Sequence, residues 1–417
     1  MLKWMEDQYA DALIDAVASA GTMAEKKYDA PVLLAHYSGY TPTCQNFKDI
    51  YDRLEISEKG LTTLDEYEKT YIQAIIRAIR MMTRVMSGEE ISYEEQILDM
   101  QEVVSEEVTE EMMQPLKERI DQKLTDRGYK GSVAEKVTAF LADTQIDPDE
   151  VISVTKAFLS RCKASCEQKI LTLPEGDGID SINGVRGVFW SGNSAYLGDY
   201  KGKLTFNLDK PWSLPTFGNV LCHEGYPGHH AFYCHWDDLF RQGKLPLEGS
   251  FYIKNTPTNA MFEGAPECAL HFLGWDDFEE DTPEISDQEK ADFALGRDIQ
   301  DLQRIYQTNC CHFVNIEGMS QEQAVAYMTG TGLMKEIEAV NSYRFFTDPT
   351  RRTYYVSYFY GRWIVQMAYE AFAKERRGEF FDMLYNYPHT NKTLIMKVKE
   401  MTGEDISDYV KKGLMRR

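Results

Sequence analysis

Apolar residues recur at intervals of three and four along most of this chain, and that period commits it to helices. Tyr71-Ile72-Ala74-Ile75-Ile76-Ala78-Ile79 and Val151-Ile152-Val154-Ala157-Phe158-Leu159 show it most clearly. The pattern runs from residue 1 to about 172. Ser132 with Glu135 reads as a capping box, and Asp147-Pro148-Asp149-Glu150 puts a proline and acids in a first helical turn. Between about 173 and 215, Gly, Asn, Asp and Pro punctuate short alternating runs, Val185 to Trp190 and Lys203 to Leu208, which predict a small antiparallel sheet. Helical periodicity then returns, with a capping box at Ser320 and Gln323 and a break at Gly378. The expected fold is mainly α: a large helical body with a small antiparallel β-sheet beside the helix that carries the chemistry. Residues 1–172 form a wall or lid, and residues 173–417 form the catalytic region.

A chain of 417 residues can bury a deep site. Its 67 acidic against 45 basic residues leave a formal charge of -22, with no basic stripe, which argues against nucleic acid or an anionic membrane as partner. Met1 to Ala20 mixes Lys3, Glu6, Asp7, Asp11 and Asp15 with apolar positions, as an amphipathic helix does and a signal peptide does not. No apolar run reaches the length of a membrane span. Eight cysteines lie scattered without a disulfide rhythm, so the reading is of buried, reduced thiols in a cytoplasmic protein. Cys162 and Cys166 share a helical face; Cys310 and Cys311 adjoin His312. His36 stands alone and reads as a surface or satisfied core histidine.

Four of the eight histidines fall between His223 and His235, and Glu224 follows the first directly. In zinc peptidases a helix offers one histidine to the metal, the adjacent glutamate takes a proton from the polarised water, and a second histidine follows about one turn later. Here Pro227 and Gly228 intervene, and the next histidines come six and seven residues after His223. A straight helix would put His230 on the face of His223 but roughly 10 Å further along, and His229 about 120° away. Pro227 makes a straight helix untenable, so a bulge is expected to bring His229 to the metal, with His230 the alternative ligand. The third ligand is expected from Glu263, and Glu267, one turn later, would accept the outer N–H of a liganding histidine. Alone, that pair would read as a solvated acidic face. Beside the histidine cluster it completes a ligand set for one Zn²⁺, or for another divalent ion that accepts His and carboxylate.

His223-Glu224-Gly225-Tyr226-Pro227-Gly228-His229-His230 followed by Glu263-Gly264 resembles the bacterial domain-of-unknown-function family 885, metal hydrolases related to thermolysin-like gluzincins. Leu302-Gln303-Arg304 through Cys311-His312, Ser320 to Met328, Tyr343-Arg344 and Asp348-Pro349 extend the likeness over about residues 185 to 375. The resemblance implies a channelled, helix-rich peptidase like angiotensin-converting enzyme and the oligopeptidases. Two departures stand out. Ala265-Pro266 follows the Glu-Gly pair where relatives carry an aromatic and an alanine. Pro349-Thr350-Arg351, at a spacing three residues longer, precedes Tyr358-Phe359-Tyr360-Gly361.

Tyr358 or His312 is expected to stabilise the oxyanion, although Tyr354, Tyr355, Tyr358 and Tyr360 crowd one segment and most must serve packing. Arg344, like Arg351 and Arg352, is placed either to clamp a terminal carboxylate or to neutralise nearby acids. The strand Lys203 to Leu208 is positioned like an edge strand that pairs with extended peptide, which makes Thr205 and Asn207 substrate-binding candidates. The expected activity is zinc-dependent hydrolysis of short peptides. A metal-dependent amidase acting on a modified amino acid or acylated small molecule, and a non-catalytic metal-binding or scaffolding protein, are the rivals. Oligomeric state is left open.

Overall fold

The computed structural model describes residues 4–415. Among the described residues helices predominate, and five short strands, β1 (Leu33–His36), β2 (Gly178–Val185), β3 (Gly192–Gly198), β4 (Lys201–Asn207) and β5 (Phe251–Ile253), make two small sheets. The described residues divide into two compact units, one of residues 4–105, 233–264 and 347–408, the other of 106–232, 265–346 and 409–415. Neither is a single stretch, so a boundary drawn at 172/173 does not describe them. The divisions at 232/233 and 264/265 fall within the continuous helices His229–Arg241 and Asn259–Glu267.

The first unit is built on the helices Asp7–Tyr28, Phe47–Gly60 and Glu66–Ser87. The last carries the period that the sequence displays: Tyr71, Ile72, Ile75, Ile76 and Ile79 are buried together with Leu13, Ile14, Val17, Ile50 and Leu54. Its Asp65–Glu68 capping box satisfies end amides that would otherwise stay bare. The helix at the N-terminus begins at Asp7 and runs to Tyr28, while Met1 to Lys3 lie outside the described residues. Two-stranded pairing of β1 with β5, Ala35 opposite Tyr252, closes this unit's only described sheet. Gly378 is no break: it lies inside the Arg377–Asn386 helix, and the preceding α-helix ends at Ala371, with a 3-10 turn at Lys374–Arg376 between them. An exposed glycine weakens a helix without ending it.

His389 of this unit is wholly buried, with Nε2 3.0 Å from the Met383 carbonyl and Nδ1 2.8 Å from the Tyr67 hydroxyl. The carbonyl can only accept, so Nε2 carries the proton. Burial pushes the imidazole down to about 4 from its ordinary 6.5, against the opposing bond to Met383. The native state thus holds His389 neutral while the unfolded chain protonates it. The stability is complete above pH 6.5, declines as pH falls toward 4, and loses nothing further below. Urea unfolding from pH 7 to pH 4 should show wild type losing on the order of 3 kcal/mol more than His389→Gln over that window. Parallel slopes would contradict the assignment.

In the second unit the sheet order is β2-β4-β3, with β2 parallel and β3 antiparallel to β4. The sheet is therefore mixed, and β4, which was expected at an edge, is its centre. Both its hydrogen-bonding edges are already used, so an added peptide strand could only join β2 or β3. Val185 is the last residue of β2, and the run to Trp190 is loop: Gly187 has φ +74°, and the Asn207 amide donates to the carbonyls of Val188 (2.9 Å) and Trp190 (3.2 Å). Pro148 lies in a turn closed by Asp147 before the helix that begins at Val151. The capping boxes at Ser132 and Ser320 form as read. Phe158 packs edge to face against both Trp275 and Phe293 at the core, next to Phe206, Trp212 and Phe217. Asp298, buried on the Asp287–Asn315 helix, ties it to the Glu110–Asp126 helix through Arg119 (3.0 Å) and Lys123 (2.8 Å).

Candidate metal centre

The helix Leu214–Glu224 starts with Pro215 in its first turn and buries Phe217, Leu221 and Cys222, which leaves His223 and Glu224 as its last two residues. Gly218 meets Phe293 and Phe158 where a side chain would obstruct the packing. The helix ends because Gly225 leaves helical geometry (φ −107°, ψ −105°), and a cis Tyr226–Pro227 peptide follows. The chain does not run away from the helix. Gly228 N–H donates to the Cys222 carbonyl at 3.1 Å and Ala231 N–H to the Gly225 carbonyl at 3.2 Å, so the turn folds back on itself before His229 begins the next helix. A methyl group at Gly228 would overlap the carbonyl oxygens of Cys222 and His223, so the tight return requires glycine. The result places the His223 and His229 rings edge to face, centroids 4.7 Å apart.

His223, His229 and Glu263 form a group whose ligand atoms all lie within 4.8 Å of one another. His229 is 8% and Glu263 1% exposed, and the His223 side chain keeps 12%. Two imidazoles and one carboxylate are a donor set that suits a divalent transition ion. Nδ1 of His223 lies 3.6 Å from Glu267 Oε1, and Arg304 holds that same oxygen at 3.2 Å. Glu267 is thus where an outer carboxylate is needed to fix the imidazole's orientation.

Glu263 is gripped from its own unit. Tyr252, in the middle of β5, donates to Oε1 at 3.1 Å, Tyr354 donates to the same oxygen, and the two hydroxyls lie 2.9 Å apart. Burial first, then the charge of Glu263, push both phenols well above their ordinary range, so both stay protonated donors. Gly264 and Gly361 let two helices meet backbone to backbone directly beside Glu263.

Asp177, His230 and Cys234 form a second such group. Asp177 already accepts from His230 Nε2 (2.9 Å) and Tyr226 (2.9 Å), and pairs with Lys163 (2.7 Å). Burial pushes its carboxyl up, but the bonds from His230 and Lys163 outweigh that and hold it below the usual range. An ammonium against the carboxylate opposes a cation there, and the network anchors the neighbour of His229 instead. A methyl at Gly202 would collide with the His230 ring, so the strand leaves room for it.

Glu224 is 8% exposed, and a methyl built at Gly192, the start of β3, would stand 3.6 Å from its Oε1. Tyr358, in the first turn of the Val356–Ala371 helix, sits edge to face with Tyr354 at 5.7 Å. His312 belongs to neither group; its Nε2 lies 3.7 Å from Glu317 Oε1. Arg344 is exposed on the Glu336–Thr347 helix. Thr205 and Asn207 lie on the central strand, and Asn207 spends its amide on the loop before β3. Sequence reasoning missed Tyr252, Asp177, Gly202 and Gly361. His36 is a satisfied histidine as read, bonded to Ser38 at 2.6 Å.

No family model and no curated protein matches the chain. Solved structures share its fold, two of them as follows. One is a "putative lipoprotein" from Colwellia psychrerythraea, with TM-score 0.58, 15% identity, and 85% of this chain and 66% of that one covered. The other is a "putative lipoprotein of unknown function" from Shewanella oneidensis, with TM-score 0.50, 16% identity and coverage of 88% and 69%. The chain thus spans about two thirds of each, and the likeness is one of fold. Both being described as lipoproteins overturns the cytoplasmic location read from the cysteines. The physical reason is that seven of the eight thiols are buried, out of reach of external thiols and oxidants, so their unpaired state does not identify a compartment. Among the described residues no helix is long and apolar enough to cross a membrane.

Proposed function

We propose that the chain is a metal-dependent hydrolase of peptide bonds in short peptides, with one divalent ion, zinc by preference, held by His223, His229 and Glu263. The single observation that carries this reading is the approach of those three side chains to within 4.8 Å across the Pro-Gly interruption. The motif's resemblance to family 885 supports it. When bound, the ion would lower the pKa of a water and polarise the scissile carbonyl. Everything else falls to the chain's own residues. Glu224, next to His223 and facing the start of β3, takes the proton of the attacking water and passes it to the leaving amine. Glu267, held by Arg304 at 3.2 Å, stands 3.6 Å from Nδ1 of His223 and would orient that imidazole toward the ion. Tyr358 is the donor for the developing oxyanion, chosen over His312, which is engaged toward Glu317. β3, an edge strand beside Glu224, replaces β4 as the strand that pairs with extended substrate.

Elemental analysis of the purified protein is expected to give one metal per chain in wild type and in His230→Ala, and none in His223→Ala, His229→Ala or Glu263→Ala. Metal-loaded wild type should cleave short peptides, lose activity to a chelator and regain it with zinc. Retention of metal by His223→Ala, or a fully loaded protein that cleaves no peptide, would sink the proposal.

A further inference from the structure

The arrangement around Glu263 goes beyond holding a ligand in place. Tyr252 comes from β5, paired with β1; Tyr354 comes from the turn before Val356; Glu263 comes from the Asn259–Glu267 helix. Each phenol is fixed by its own packing: Tyr252 stacks on Phe262 with centroids 4.2 Å apart, and Tyr354 meets the ring of Tyr358 edge to face and has the ammonium of Lys254 5.7 Å from its centroid. Tyr252 is 0% and Tyr354 3% exposed, so both rings are shielded from bulk solvent. Both reach the same carboxylate oxygen, Oε1, and neither is placed on Oε2. A carboxylate with one oxygen saturated by two donors cannot turn to offer both oxygens to an ion.

We propose that Tyr252 and Tyr354 are positioning residues that clamp Oε1 of Glu263, so that the cation is met through Oε2 alone and the centre selects a small, four-coordinate ion such as zinc over larger ions. This rests on the metal-site reading above. Larger, harder cations can take a carboxylate through both oxygens and accept six or more ligands, whereas zinc is satisfied by one oxygen in a tetrahedral set. The clamp would therefore act on affinity and on selectivity together. Partners that orient a metal-bound carboxylate are worth about 10-fold to 100-fold in metal affinity when removed.

Zinc and manganese affinities would be measured by chelator competition on the full chain as wild type, Tyr252→Phe, Tyr354→Phe and the double variant. Phenylalanine keeps both rings, and the unfolding midpoint of the metal-free proteins shows whether the fold survives; the single variants carry the test if the double one does not fold. The expected result is a 10-fold to 100-fold loss of zinc affinity in the double variant, smaller losses in the singles, and a narrower preference for zinc over manganese. The infrared carboxylate stretches of zinc-loaded protein should change from a one-oxygen to a two-oxygen signature in the double variant, which a purely structural role would not cause. Zinc affinity within twofold of wild type, or a two-oxygen signature already in wild type, would overturn the clamp and leave the hydrolase reading intact. A wild type that binds no metal would remove both.

Discussion

Glu224→Gln is expected to lower peptide hydrolysis by about 10²-fold to 10⁴-fold while the protein keeps its full complement of metal. The substitution preserves size and leaves a polar group in a site where Glu224 is only 8% exposed, so packing is unaffected. What it removes is the ability to accept a proton. Because Glu224 is outside the His223, His229 and Glu263 group, metal content should not change, and that separates this variant from His223→Ala. On the proposed mechanism the loss should appear in kcat with little effect on KM, since the carboxylate would act on the water and not on the bound peptide. Steady-state kinetics on a short peptide, with metal content measured on the same samples, provide the check. Undiminished turnover would place the base elsewhere; metal loss parallel to activity loss would make Glu224 a ligand.

The histidine cluster was legible because imidazoles and an adjacent glutamate at a helix end are rare together. What the spacing could not give was how a six-residue interval closes. That depends on backbone bonds, Gly228 to Cys222 and Ala231 to Gly225, which leave no pattern in side-chain types. The grip on Glu263 was hidden for a different reason. Tyr252 lies in a three-residue strand that exists because it pairs with β1, more than two hundred positions earlier, and such non-local pairing has no local period. β3 was passed over because Gly192, Asn193 and Gly198 read as turn residues, yet β4 supplies the partner that makes them a strand. Once β3 occupies an edge, β4 becomes central and Asn207 structural, so one missed strand displaced two substrate-binding candidates. The long helices carried their own signal in apolar period and capping boxes, and those readings needed no distant partner.

Gly264→Ala is expected to destabilise the protein by 3 kcal/mol or more, at or beyond the top of the roughly 1–3 kcal/mol range for overpacked cores, and to weaken metal binding with it. A methyl group there would overlap the carbonyl of Gly361, and one at Gly361 would in turn press on Ala260, so the two helices touch through backbone alone. The obstructing atoms are backbone on both sides and cannot swing away as a side-chain end would, so the helices must separate. Glu263 immediately precedes the contact, and Tyr354 lies just before the helix that bears Gly361, so separation pulls the carboxylate from the hydroxyl that holds it. Fold and site are thereby coupled through one missing methyl group. Gly378→Ala provides the contrast: that glycine is exposed within a helix with nothing within 4 Å, and alanine should stabilise by about 0.5–1 kcal/mol with metal affinity unchanged. Urea unfolding of the metal-free proteins and zinc competition on the same preparations would decide it, and a Gly264→Ala protein with wild-type stability would mean that the close helix crossing beside Glu263 does not exist.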